Sequence, residues 1–163
     1  MSPRQVALCF LFRETESGSE VLLGMKKSGF GTGRIVTLGG GIELGETDAE
    51  AAVREVAEEA GVVVREANLT RLGLIRWHFP AKPTQDMVAA VFTAGEWTGD
   101  PAPSDEVDPH WYPVNDLPWT GMWEDAQHWL GHVIAGKPLD VTVTLNPDNQ
   151  TVREVNFSSS VRK

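Results

Sequence analysis

Apolar residues in this chain come in short runs separated by polar turns, and the period of those runs changes along its length. Residues 5–12 are almost continuously apolar from Val6 to Phe12 and read as a strand, with residues 21–26 as its partner and the polar stretch 14–20 as the hairpin loop between them. Residues 35–38 form a short buried strand that runs into Gly39, Gly40 and Gly41. Two further strands are predicted over 68–79, where Leu72, Leu74 and Ile75 are apolar, and over 86–92. Residues 106–113 make an aromatic-rich strand edge. Residues 140–145 and 151–157 alternate with period two around Asn146, Pro147, Asp148 and Asn149, which predicts a terminal hairpin. Helical periodicity occurs after Thr47 and again over 123–134, where Trp129, Leu130 and Val133 share one side. The class is α+β: a mixed β-sheet with helices on its two sides.

At 163 residues the natural count is one domain spanning 1–163, long enough to bury a proper core. The formal net charge of −9 argues against a duplex nucleic-acid partner, whose phosphates demand a basic surface. It leaves small nucleotides open, because a bound metal supplies positive charge locally. The only cysteine, Cys9, lies in an apolar run and reads as a buried structural thiol. The N-terminal apolar run is too short to span a membrane and carries no cleavage signal, so a cytoplasmic location without membrane association is expected. His78, His110, His128 and His132 show no zinc spacing and read as structural. Oligomeric state leaves no trace in the pattern.

The chemistry concentrates after Thr47. With Glu50 three residues on, Thr47 forms a capping box, so a helix starts near Asp48, and Gly61 is a natural stop. At about 100° per residue, Glu55, Glu58 and Glu59 fall on one face and Val53, Val56, Ala57 and Ala60 on the opposite one. Like charges at i, i+3 and i+4 repel, so something must compensate. Mg²⁺ suits the role, with Mn²⁺ as a substitute, because a hard cation takes carboxylate oxygens and bridges to phosphates. Arg54 flanks the cluster and can hold one or two of its carboxylates. Taken alone, such a charge run is an ordinary solvated face. The glycines before it change that reading, since they let the backbone approach a ligand without a Cβ in the way.

Gly40, Glu46, Arg54, Glu55, Val56, Glu58, Glu59, Gly61 and Val62 stand at the spacing G-x5-E-x7-R-E-U-x-E-E-x-G-U, with U a bulky aliphatic. This pattern resembles the signature box of the Nudix hydrolases at every defined position. The resemblance implies an α/β/α sandwich and metal-dependent hydrolysis of a pyrophosphate bond. It implies metal binding by Glu55, Glu58, Glu59 and the Gly39 carbonyl, with Glu106 completing the shell from a loop across the cleft. Arg54 and Glu46 then organise the loop and helix. Which of these carboxylates serves as base toward water stays open.

Four further stretches are similar to the MutT-type enzymes, and among them to the animal oxidised-purine triphosphatases. They are residues 21–31, 104–111, 122–129 and 151–155. The resemblance implies base binding by Trp123 through stacking, by Asp125 through hydrogen bonds, and by Phe30 as a closing residue. Lys26 and Lys27 would meet the phosphate tail. Val36 and Ala126 depart from the pattern, because each stands where those enzymes carry a polar base-reading residue. A more apolar pocket discriminates less sharply. The expected function is hydrolysis of modified purine nucleoside triphosphates to monophosphate and pyrophosphate. Two alternatives are a Nudix pyrophosphatase for dinucleoside polyphosphates or ADP-ribose-like compounds, and a catalytically silent nucleotide-binding module.

Overall fold

The computed structural model describes residues 2–158. Nine strands among them form one mixed sheet: β1 (Arg4–Thr15), β2 (Gly18–Lys26), β3 (Ile35–Val36), β4 (Leu38–Gly41), β5 (Thr70–His78), β6 (Met87–Ala94), β7 (Val107–Pro113), β8 (Leu139–Leu145) and β9 (Val152–Phe157). Helix α1 (Asp48–Ala60) follows β4, and α2 (Ala126–Ile134) follows β7. The strand order is β3-β2-β1-β6-β5-β8-β9, with β4 added on β1 and β7 on β2. The first strand changes partner along its length. Residues 6–9 pair antiparallel with β4, residues 12–15 pair antiparallel with β2, and residues 4–11 run parallel to β6. The sheet curls where β1 passes from one partner to the other.

Alternation along β1 sorts its side chains into two cores. Ala7, Cys9 and Leu11 join Leu22, Leu38, Ala90 and Phe92 beneath Ala52, Val56 and Ala60 of α1. Phe10 joins Val21, Leu23, Val91 and Val141 beneath Trp129, Leu130 and Val133 of α2. Each helix thus covers its own face of one sheet, the α/β/α sandwich expected. Cys9 is fully buried, and burial pushes its thiol up to about 12, so it is inert packing.

Several boundaries differ from the sequence expectation. The polar stretch 14–20 is mostly strand: Thr15 pairs with Gly18, leaving only Glu16 and Ser17 as the turn. Cross-strand pairs such as Arg13 with Glu20, at 2.7 Å, hold a polar ribbon that hydropathy alone does not mark. Residues 35–38 are two strands, since β3 pairs with β2 while β4 crosses to β1. The second helix begins at Ala126, so Trp123 lies in the link before it, after a 3-10 turn over Trp119–Gly121.

Helix α1 has the predicted capping box, in which Thr47 accepts from the Glu50 amide and Glu50 accepts from the Thr47 amide. Gly61 ends it in the left-handed region at φ 72°. Its faces need correction. Ala57 is exposed and Val53 half-buried, whereas Glu59 is buried with Ala52, Val56 and Ala60. Three residues turn the helix about 300°, which sets Glu59 only about 60° from Val56 at the margin of the apolar stripe. Of the three carboxylates, Glu58 alone is exposed.

Candidate active site

Strand β4 and the start of α1 bring the glycine loop against the acidic helix. The Gly39 amide donates to Glu59 Oε1 at 2.8 Å. Gly39 sits at φ 150°, and a Cβ there would lie 2.1 Å from the Ala7 carbonyl oxygen. A Cβ on Gly40 would lie within 2.7 Å of the Glu55 carboxylate. Gly39 therefore needs glycine, because a Cβ would strike the β1 backbone, whereas at Gly40 a Cβ would meet only the end of the Glu55 side chain.

Arg54 ties the loop to the helix. Its Nε and Nη2 donate to the two oxygens of Glu46 at 2.8 and 3.0 Å, and Nη2 also reaches the Gly41 carbonyl at 2.9 Å. Its Nη1 donates to Glu55 at 2.8 Å and to Glu58 at 3.2 Å. Glu43 adds a further ion pair at 3.2 Å. The hydrogen bond from Arg54 holds Glu46 down at about 2, helped by its bond from the Glu43 amide.

Glu59 is only 5% exposed. Burial pushes its carboxyl up to about 8, against the Gly39 amide, and repulsion from Glu55 and Glu106 adds to the rise. Lys26 lies near enough to oppose it. Burial also raises Glu55, which Arg54 counters and which Glu58 and Glu106 reinforce. Four carboxylates thus act on one another from α1 and from the residue before β7. Among the described residues, no three acidic, histidine or cysteine side chains converge closely enough to cage an ion as they stand. Arg54 holds Glu55 and Glu58, and Gly39 holds Glu59. The chemistry of the set still fits a hard divalent cation: all donors are oxygens, and the buried Glu59 lacks a full positive partner. Lys27, expected beside the phosphates, instead donates to the Ser104 carbonyl at 2.8 Å and pins the Glu106 loop.

On the α2 side a cavity of about 180 Å³ is lined by Phe30, Val36, Trp123, Asp125 and Ala126, among others. Thr37 also lines it, and Gly39 follows two residues later with its amide on Glu59, so one short segment runs from cavity to acid cluster. Phe30 stacks on Trp123 with centroids 5.3 Å apart and planes 13° apart, although Phe30 remains 62% exposed. The Trp123 face expected to receive a purine carries this ring.

Asp125 is 6% exposed, and its Oδ2 accepts from Trp77 Nε1 and Trp129 Nε1, each at 2.8 Å. Oδ2 is therefore a structural acceptor, and neither indole bond involves Oδ1. Sequence reasoning missed Trp77 as its partner, although a buried indole N–H generally requires an acceptor. It missed Arg34 too, whose guanidinium lies 4.4 Å from the Trp123 ring centroid and donates to the Met122 carbonyl at 3.2 Å. Nothing in the local pattern marks that cation–π contact.

Two outcomes follow. The carboxyl of Glu59 is raised from 4.5 to about 8 in the folded chain, so the folded state binds the extra proton and cation-free stability falls as pH rises between those values. Glu59→Gln, which keeps the acceptor for Gly39, should flatten that fall in thermal melts from pH 5 to 9. A slope equal to that of the parent protein would contradict the burial argument. Asp125→Ala strands two indole N–H groups and should lower stability in urea unfolding by about 2–4 kcal/mol, with Asp125→Asn losing much less.

Comparison with known proteins agrees with this geometry. The NUDIX domain family matches residues 2–135. The chain is 41% identical over 110 residues to the oxidized purine nucleoside triphosphate hydrolase of Danio rerio, covering 68% of this chain and 69% of that protein. The protein of the same name from Mus musculus is 38% identical over 110 residues, with the same coverage. A crystal structure of a MutT protein from Bacillus halodurans superposes with a TM-score of 0.80 over 95% of this chain and 97% of that one, at 23% identity. With the family matched across most of its length and the glutamate-rich box intact on α1, the chain belongs to the Nudix hydrolase family.

Proposed function

We propose that this chain is a Mg²⁺-dependent, single-domain diphosphatase of modified purine nucleoside triphosphates, acting in the cytoplasm to clear oxidised or alkylated nucleotides. The observation that carries the reading is the join between a purine-sized cavity and the acid cluster. Val36 and Thr37 line the cavity, and Gly39 holds Glu59. The similarity to two oxidized purine nucleoside triphosphate hydrolases supports the same substrate class.

In this reading Trp123, Phe30 and the free oxygen of Asp125 bind the base. Lys26 lies near Glu59, where a phosphate chain would enter. Glu55, Glu58, Glu59, Glu106 and the Gly39 carbonyl would hold the cation. When bound, that ion supplies Lewis acidity toward phosphoryl oxygens and lowers the pKa of water. Arg54 and Glu46 hold the loop in register with the helix that carries three of these donors. Water adds to an internal phosphorus while the bridge between the α- and β-phosphates breaks. Its proton passes to one of the glutamates, and pyrophosphate leaves the nucleoside monophosphate.

A dinucleotide-type substrate is a second reading. It is favoured by one observation, a neighbouring cavity of about 270 Å³ lined by Arg34, Trp119, Trp123, Glu124 and Gln127. A second nucleoside would fit beside the first there.

The deciding experiment measures pyrophosphate release with Mg²⁺ from 8-oxo-dGTP, 2-hydroxy-dATP, O6-methyl-dGTP, normal dNTPs, diadenosine tetraphosphate and ADP-ribose. Modified purine triphosphates should be preferred and Glu59→Gln should be inactive while folded. Preference for a dinucleotide would overturn the substrate and leave the chemistry. Trp123→Ala should raise KM for purine substrates by about tenfold with little change in kcat, in line with about 1–3 kcal/mol for stacking. An unchanged KM would remove Trp123 from the pocket.

A further inference from the structure

The hairpin between β8 and β9 contributes to the base cavity through Asn149 and Gln150. Asn149 is the one non-glycine residue among those described with a positive φ, at 58°. Asparagine adopts that region more readily than most residues, which accounts for its presence in a turn. It does not account for its side chain. Asn149 Oδ1 is shut off from solvent and has no hydrogen-bond partner. The only other such atom among the described residues is Gln85 Oε1, and Gln85 does not line the cavity. Buried amide oxygens are almost always satisfied, so an exception on the wall of a ligand cavity calls for a donor that arrives from outside the chain.

The turn is held rigidly in place. Asp148 accepts from the Gln150 and Thr151 amides at 2.9 Å and from the Thr151 hydroxyl at 2.7 Å. Asn146 Nδ2 donates to the same hydroxyl at 2.9 Å. The Val152 amide donates to Glu124 Oε1 at 2.8 Å, which docks the hairpin on the segment carrying Trp123 and Asp125. Two residues of that cavity, Val36 and Ala126, offer no polar group.

We infer that Asn149 is a specificity-determining residue that reads the edge of the bound base. Its amide oxygen accepts from a ring or exocyclic N–H of a purine, a role that Val36 and Ala126 cannot fill. The terminal torsion of asparagine is soft, so a rotation about it turns the amide from the wall into the cavity. The backbone meanwhile stays fixed by Asp148 and Glu124. This inference rests on the nucleotide reading above and adds a residue to it.

Asn149→Gly separates a reading role from a turn-forming one, because glycine accepts φ 58° without strain and removes only the amide. The variant should melt at the parent temperature. Its KM for 8-oxo-dGTP should rise about fivefold to tenfold, with kcat within about twofold, as expected for one lost hydrogen bond to the base. A KM equal to that of the parent protein would show that Asn149 serves only the turn. Should the parent hydrolyse no purine triphosphate, the proposed function fails first. Titration of tryptophan fluorescence with 8-oxo-dGMP then decides the inference alone. Binding weakened by Asn149→Gly upholds it, and equal or absent binding overturns it.

Discussion

The guanidinium of Arg54 is the interaction on which the arrangement of the acid cluster depends. Its fork ties Glu46 and the Gly41 carbonyl on the loop to Glu55 and Glu58 on the helix. Without it, α1 would carry closely spaced carboxylates with no cation of the chain between them, and the link from Gly41 to Glu46 would lose its tie to the helix. A planar group with five donors in fixed directions can serve loop and helix together, which an ammonium cannot. The same fork leaves Glu59 out of its reach. The Gly39 amide takes Glu59 instead, and the most deeply buried carboxylate of the set faces a neutral donor.

This division explains why the site lies where β1 changes partner. Side chains of β1 point alternately toward α1 and α2, and β4 is paired to the stretch where both cores begin. The segment from Val36 to Gly39 can therefore face the α2-side cavity at one end and the α1-side acids at the other. On the proposed function, this geometry would hold the base on one face of the sheet and turn the phosphate chain toward the other. No single helix or strand could span both.

Much of this was legible in the chain. The capping box, the Gly61 stop and the period-two hairpin at the C-terminus follow local rules and are present as read. The box residues Glu46, Arg54 and Glu55 lie together because loop and helix are contiguous in sequence. What escaped local reading depended on contacts across the fold. The burial of Glu59 is not visible on a helical wheel, which groups it with Glu55 and Glu58 but does not show which way the helix leans on the sheet. The structural bonds of Asp125 are not visible locally, since Trp77 approaches it from a strand 48 residues away. Lys27 is engaged by the Ser104 carbonyl, 77 residues on, which no pattern around it foretells.

Three buried polar groups among the described residues run against the fold's own preferences; Gln85 Oε1 lies away from the cavity, and the other two border the site. Glu59 is a buried carboxyl that faces only a neutral amide donor, and Asn149 has an amide oxygen without a donor on a left-handed backbone. Each is locally unfavourable, and each stands in a region otherwise tightly bonded. Elsewhere in the same molecule polar groups are met: buried Asp125 receives two indoles, and exposed Thr47 and Glu50 satisfy each other's amides. A chain that satisfies its polar groups so consistently has sequence choices available that would remove both exceptions. Local conflict retained inside a consistent framework is the physical mark of a ligand's place. On the proposed reading, a cation would supply the charge missing beside Glu59 and a base the donor missing at Asn149.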